Sequence, residues 1–145
     1  MFKKVDHVTI VVKNLDKAIK AYESILRLTP GGSKGFVKNF PGIRLAMLNI
    51  DGARIELMEP DVTADNPFSK FLAEHGEGVY SYCIYVGDFD AEIKRLKDMG
   101  VALREATQAT LFPGYPFRIA WVPPEEGTGV SIELVDSEVL PPFEK

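Results

Sequence analysis

Cysteine, long apolar runs and clustered positive charge are scarce in this sequence, and each shortage excludes a class of protein. The one cysteine, Cys83, cannot form an internal disulfide, and the N-terminal residues carry no secretory pattern, so we expect a reducing compartment, the cytoplasm. The longest apolar runs have the length of strands, which predicts no membrane partner. The net charge is -4 and lysines and arginines form no block, so no nucleic-acid partner is expected.

The remaining composition is that of an ordinary globular domain. Apolar residues make up 46% of the chain and charged residues 26%, and these fractions exclude the disordered class. A chain of 145 residues is long enough to bury a core without disulfide or metal staples. We therefore predict a single domain over residues 1–145.

An internal repeat organises the chain. Residues 7–16 align with residues 81–90, and residues 44–48 align with residues 118–122, both at an offset of 74. After an insertion of three residues, residues 55–59 align with residues 132–136. A fixed offset that survives over most of the length indicates a tandem duplication.

Each copy is predicted to be a βαβββ module. The first strands, 5–12 and 79–86, are rich in β-branched residues, and Asn14 and Asp88 follow them as helix N-caps. Three further strands complete each copy, and the predicted ranges are 34–39, 43–50 and 53–59 in the first and 102–109, 116–122 and 129–136 in the second. Module one covers about residues 3–60 and module two about residues 78–137. A linking helix over 66–75 and an extended tail over 138–145 complete the prediction.

The alternation of side chains along a strand separates two faces of the predicted sheet. His7 and Thr9 share one face of the first strand, because the aliphatic residues between them belong under the helix. Ser81 and Cys83 occupy the equivalent positions in the second copy. Glu56 and Glu133 are each flanked by Ile and Leu, so these two carboxylates point to the same concave face as His7.

This set of side chains predicts a cation site. Neighbouring buried carboxylates repel each other unless a metal ion neutralises them. His7, Glu56 and Glu133 are the predicted metal ligands, and either glutamate could act as the base that transfers a proton. Such ligands suit Mn, Fe, Co, Ni, Mg or Zn without distinguishing among them. Four further residues are predicted to line the substrate pocket: Thr9, Ser81, Cys83 and Trp121.

Simpler interpretations stand beside this one. An isolated histidine near a strand start is usually structural, and a lone buried Cys83 is usually a small apolar filler. Arg44 and Arg118 are repeat equivalents that could bind a substrate anion, although pairing with acidic neighbours is the stronger expectation.

Four motifs together resemble the vicinal-oxygen-chelate superfamily, which contains glyoxalases, bleomycin resistance proteins and extradiol dioxygenases. They are DHVTIVVKNLDKAI at 6–19, IELMEP at 55–60, GEGV at 76–79 and VSIELV at 130–135. The methylmalonyl-CoA epimerase and glyoxalase I branches look most similar. The resemblance implies an α+β fold in which two tandem βαβββ modules, with mixed sheets, form a concave, barrel-like pocket.

The resemblance also implies four metal positions, which fall on His7, Glu56, Ser81 and Glu133. The family usually has histidine where this chain has Ser81. The epimerase branch uses a second acid or base just before its third strand, and residues 39–42 of this chain contain no carboxylate.

The activity that the resemblance implies is a metal-dependent isomerase or lyase. A divalent metal would stabilise an enolate or another oxyanion of a small-molecule substrate, with glutamate as base, and the protein would form a homodimer. The alternative is a metal-free ligand-binding, resistance or cyclase protein of the same fold, which the loss of one ligand favours. Ring-cleaving oxygenation ranks third. In this superfamily it uses two histidines and one glutamate, and the predicted pocket of this chain contains a single histidine.

Overall fold

The chain folds as an α+β protein, as predicted. In the computed structural model, the described residues are 1–30, 35–107 and 118–139, and they form eight strands, three α-helices and one short 3-10 turn. The predicted tail lies mostly outside the described residues.

The first module follows the predicted order βαβββ. It consists of β1 (Phe2–Val11), α1 (Leu15–Leu26), β2 (Phe36–Phe40), β3 (Ile43–Ile50) and β4 (Ala53–Pro60). The linking helix α2 (Pro67–His75) follows.

The second module repeats this order. It consists of β5 (Gly78–Val86), α3 (Phe89–Asp98), β6 (Arg104–Thr107), β7 (Arg118–Val122) and β8 (Ser131–Asp136). The 3-10 turn over Pro124–Glu126, between β7 and β8, was not predicted.

The pairing of the strands confirms the tandem repeat. The strand order in the mixed sheet is β2-β3-β4-β1-β5-β8-β7-β6. β1 pairs with β4 in parallel, and β5 pairs with β8 in parallel. In both modules the remaining neighbours are antiparallel. Each module therefore places its first strand beside its last one.

The helices begin where the sequence predicts. The Asn14 side chain accepts a hydrogen bond from the backbone N–H of Lys17, and the Asp88 side chain accepts one from Ala91. Side chains that accept from free N–H groups in the first turn stabilise a helix start. The two polar residues thus begin the helix that follows the first strand of each module.

Each module has its own core between helix and sheet. In the first module α1 packs over a cluster that includes Val12, Leu48 and Leu57. In the second module Phe89, Ile93 and Leu96 of α3 pack over Val86, Ala120, Val122 and Leu134. The aliphatic residues at alternate strand positions therefore lie under the helices, as the periodicity predicted.

The chain divides into two compact units, and the divisions fall within β1 and within β5. One unit contains residues 7–80, and the other contains residues 1–6 together with residues 81–145. Backbone hydrogen bonds of the second unit join Met1 and Gly87, at 3.0 Å from the Gly87 N–H to the Met1 carbonyl oxygen. β1 thus supplies its first residues to the second unit and its last residues to the first.

None of the helices in the described part of the chain is both long and apolar enough to cross a membrane.

Candidate functional site

The face of β1 and β4 that points away from α1 carries the predicted residues of the first unit. Ile10 and Ile55 contact the core under α1. Because neighbouring side chains on a strand point to opposite faces, Thr9 and Glu56 belong to the other face. The interpretation of the strand periodicity is therefore correct for this unit.

A row of three buried side chains crosses this face. Glu56 on β4 is opposite Thr9 on β1 and opposite Met47 on β3. The Thr9 hydroxyl donates a hydrogen bond to Glu56 Oε1 at 3.0 Å. All three residues are buried. Glu56 therefore lies between two strand partners, of which Thr9 carries a hydroxyl donor and Met47 a thioether.

His7 completes the group in the first unit. Its Nε2 atom lies 4.0 Å from Glu56 Oε1. His7 and Glu56 are 6% and 7% exposed, so both side chains are shielded from bulk water. The structure thus brings together three of the predicted residues of this unit, namely His7, Thr9 and Glu56.

The spacing of His7 and Glu56 fits a shared cation. Bond lengths from a zinc ion to a histidine nitrogen and to a carboxylate oxygen sum to about 4.2 Å. That sum is only slightly larger than the 4.0 Å between Nε2 and Oε1, so one ion reaches both atoms at a wide angle, and a tetrahedral site requires the two atoms to move closer together. One nitrogen and one carboxylate oxygen are also donors that Mn, Fe, Co, Ni and Zn accept.

The second unit repeats the row of three with different chemistry. Glu133 on β8 is opposite Cys83 on β5 and opposite Trp121 on β7. Cys83 and Trp121 are buried, and Glu133 is half-buried. The neighbours of Glu133 in sequence, Ile132 and Leu134, belong to the core under α3. Glu133 therefore points away from that helix, as predicted.

Ser81 is not the strand neighbour of Glu133. It is opposite Ser131, two residues before the pair of Cys83 and Glu133. Ser81 is buried, as is Ser131, whose hydroxyl donates to the Val122 carbonyl oxygen at 3.3 Å. Of the two small polar residues predicted for this pocket, Cys83 is the one beside Glu133 across the sheet.

The two repeat-equivalent arginines pair with acidic residues. Arg44 contacts Asp16 at 3.1 Å and Glu59 at 3.7 Å. Arg118 hydrogen-bonds Asp90 at 2.7 Å and Asp136 at 2.9 Å. These contacts, first with Asp90 and then with Asp136, raise the pKa of Arg118 above its ordinary value. The structural interpretation of both arginines is thus the better one.

Sequence reasoning missed Arg54. It is half-buried and opposite His7 in the register of β1 and β4. Its position two residues before Glu56 assigns it to the same face, so the alternation that identified Glu56 could also have identified Arg54.

The family model of the Glyoxalase/Bleomycin resistance protein/Dioxygenase superfamily matches residues 6–118. The chain belongs to this superfamily. The match agrees with the resemblance that the sequence motifs indicated. It covers β1 from Asp6 onward and the whole of β5, α1 and α3.

Known relatives match nearly the whole chain. The uncharacterized protein YqjC of Bacillus subtilis is 26% identical over 133 residues, which are 92% of this chain and 91% of the relative. Bovine mitochondrial methylmalonyl-CoA epimerase is 24% identical over 132 residues, which are 90% of this chain and 73% of the relative.

Solved structures show the same architecture. The methylmalonyl-CoA epimerase of Mycobacterium tuberculosis has a TM-score of 0.72 at 33% identity, and the match covers 91% of this chain and 86% of that one. A variant of the Streptomyces coelicolor methylmalonyl-CoA epimerase in complex with 2-nitronate-propionyl-CoA has a TM-score of 0.76 at 26% identity. That match covers 98% of this chain and 100% of the other.

Proposed function

We propose that the protein is an isomerase-type enzyme that uses a divalent metal held by His7, Glu56 and Glu133. The observation that carries this proposal is the buried pair of His7 and Glu56, whose ligand atoms are 4.0 Å apart. Glu133 is the repeat counterpart of Glu56 and points away from the helix of its own module, as Glu56 does.

The proposed chemistry is proton transfer next to a carbonyl group. His7, Glu56 and Glu133 would hold a divalent ion, which would supply positive charge to stabilise an enolate or another oxyanion of the substrate. Glu133 or Glu56 takes the proton from the carbon beside the carbonyl and returns it to the substrate. Ser81, Cys83 and Trp121 contact the substrate and limit the access of water to it.

We propose a carbonyl substrate with an acidic C–H bond, with an acyl-CoA thioester as the first compound to test. Relatives with this fold are named methylmalonyl-CoA epimerases. Inverting a carbon centre requires proton transfer on two faces, and residues 39–42 offer no second carboxylate. The Asn39 side chain in this stretch accepts a hydrogen bond from Arg44 at 3.2 Å. We therefore favour proton transfer by one base on one face.

Metal analysis of protein purified without a histidine tag tests the metal site. We expect one divalent ion per chain in the wild type and almost none in His7→Ala and Glu133→Ala. The matched control is His75→Ala, because His75 is the other histidine and lies exposed in the last turn of α2. Equal metal content in all four proteins would contradict the proposed ligands.

Deuterium uptake from D2O at the carbon beside the carbonyl tests the reaction. We expect methylmalonyl-CoA or a related thioester to exchange that proton with wild-type protein and not after chelation. The test is repeated with Glu133→Gln and Glu56→Gln, and loss of exchange with retained metal identifies the base.

The second proposal is a metal-free ligand-binding, resistance or cyclase protein of this fold. Its support is Ser81, which stands where the family usually has a histidine ligand. It predicts a wild type without stoichiometric metal whose ligand binding or activity does not change when divalent ions are added.

The homodimer, the lyase activity and the cytoplasmic location also stay predictions. Sedimentation of the purified protein tests whether it forms a homodimer.

A further inference from the structure

Glu56 has a hydrogen-bonding neighbour that the metal hypothesis does not use. The Thr9 hydroxyl donates to Glu56 Oε1 at 3.0 Å, and the same oxygen faces His7 Nε2 at 4.0 Å. Thr9 is 1% exposed and Glu56 is 7% exposed, so water has little access to this hydrogen bond. A shielded hydrogen bond to a carboxylate is stronger than one in water and restricts the rotation of the carboxylate.

The strand register fixes this contact. Thr9 and Glu56 are direct partners in the parallel pairing of β1 and β4. On the other side, Glu56 is opposite Met47, whose thioether is a weak acceptor and donates no hydrogen bond. Among the strand partners of Glu56, the hydroxyl of Thr9 is therefore the group that orients the carboxylate.

The repeat does not require a hydroxyl at this position. The residue 74 positions after Thr9 is Cys83, which is opposite Glu133 as Thr9 is opposite Glu56. A thiol is a weak hydrogen-bond donor. The two modules thus keep the row of three residues and differ in the donor beside the carboxylate. The difference indicates a role for Thr9 that belongs to the first module alone.

We propose that Thr9 is a positioning residue that holds the Glu56 carboxylate in the orientation in which it and His7 bind a divalent cation. This inference rests on the proposed function, because it assigns Thr9 a task in the same metal site. Thr9 acts through Glu56: its hydroxyl donates a hydrogen bond to Oε1 and so fixes the plane of the carboxylate, and Glu56 and His7 supply the ligand atoms.

Metal affinity in three variants tests the proposal. The probe is Mn²⁺ or Co²⁺ titrated into chelator-treated protein, with the dissociation constant measured by calorimetry. Thr9→Val keeps the shape of the side chain and removes the hydroxyl, and we expect the dissociation constant to rise about ten- to a hundredfold, as for other groups that orient metal ligands. Thr9→Ser keeps the hydroxyl and should bind the ion within a few-fold of wild type.

Thr63→Val is the matched control. The Thr63 hydroxyl also donates to a carboxylate, that of Asp61 at 2.7 Å, in an exposed turn. Its removal should leave the affinity unchanged. Wild-type affinity in Thr9→Val would overturn the proposal. An equal loss in Thr9→Ser and Thr9→Val would also overturn it, because the shape of the side chain would then matter and its hydroxyl would not.

A measurement without metal separates this inference from the proposed function. If the wild type binds no divalent ion, the proposed function fails, and the proposed task of Thr9 at a metal site fails with it. The contact itself is then tested by urea unfolding of chelator-treated wild type, Thr9→Val, Glu56→Gln and the double variant. Non-additive effects on the free energy of unfolding would show that the hydroxyl holds the carboxylate. Additive effects would show that it does not.

Discussion

Glu59 illustrates how much one residue on the helix-facing side of β4 contributes to the fold. Its Oε2 atom accepts a hydrogen bond from the Leu15 N–H, the first residue of α1, at 2.5 Å. Its Oε1 atom lies 3.7 Å from Arg44. Leu15 is fully buried, so its N–H needs a partner inside the protein. Glu59 therefore joins the start of α1 to two strands.

We expect Glu59→Ala to lower the free energy of unfolding by about 1–2 kcal/mol, because a buried N–H group loses its acceptor. Asp16→Ala is the control from the same ion-pair group. Its side chain is 68% exposed, and an exposed ion pair contributes at most about 1 kcal/mol. Urea unfolding of both variants compares them. A larger loss in Asp16→Ala than in Glu59→Ala would contradict this ranking.

Alternation along the strands predicts which face a residue occupies, and it predicted His7, Glu56 and Glu133 correctly in that respect. It does not predict hydrogen bonds, because these depend on the register between strands and on side-chain torsions. The contact of Thr9 with Glu56 and the position of Cys83 opposite Glu133 both follow from register. Each register is set by two strands that are far apart in sequence. These contacts could therefore not be predicted from the sequence.

At the scale of elements, helix starts could be predicted more accurately than strand ends. Asn14, Asn66 and Asp88 all accept hydrogen bonds from the first turn of a helix, and such caps depend on residues within four positions of each other. β1 begins at Phe2, three residues before the predicted start. Gly87, which hydrogen-bonds to Met1 beside this early start, is too distant in sequence for local patterns to indicate the pairing.

Helix α2 provides the test of a cap. The Asn66 side chain accepts from the N–H groups of Phe68 and Ser69, and its amide donates to the Gly42 carbonyl oxygen at 3.3 Å. We expect Asn66→Ala to lower the free energy of unfolding by about 1–2 kcal/mol, and Asn66→Asp, which keeps the acceptor, to lower it less. Thermal unfolding of both variants measures the difference. Equal losses would mean that the amide donor matters more than the cap.

Helix α3 provides a test of pH dependence. The hydrogen bond from Arg95 lowers the pKa of Glu92 below its ordinary value of 4.5. A carboxyl group with a lowered pKa in the folded state stabilises the protein above its unfolded pKa, and this contribution is lost as the pH falls through the folded pKa. Glu92→Gln should therefore unfold more easily than wild type at about pH 6, with the difference shrinking toward about pH 3. A difference that grows on acidification would contradict the assignment.

At the scale of the whole molecule, the tandem repeat made the fold class predictable from the sequence. Two copies of one pattern predicted the order βαβββ for each module, and the structure has this order in both. The division of the chain into two compact units could not be predicted in the same way. The first six residues group with residues 81–145, although their position in the sequence assigns them to the first module. Local sequence patterns do not indicate that residues 1–6 group with a distant part of the chain.

Amide hydrogen exchange tests whether residues 1–6 belong to the second unit. The Gly87 N–H donates to the Met1 carbonyl oxygen at 3.0 Å, and the Val12 N–H donates to the Met58 carbonyl oxygen at 2.9 Å in the other unit. Deleting residues 2–5 should speed exchange of the Gly87 amide and leave the Val12 amide close to wild type, because local opening exposes separate units separately. Equal acceleration of both amides would show that residues 1–6 do not belong to the second unit alone.

The crossing of β1 from one unit to the other also bears on how the protein is made. A ribosome adds Gly87, the hydrogen-bonding partner of Met1, more than eighty residues after it has added residues 1–6. Residues 1–6 therefore lack this partner until β5 has been synthesised. Slow translation through β5 would lengthen that delay, and the nascent chain would be most open to chaperones or to wrong pairing during this interval.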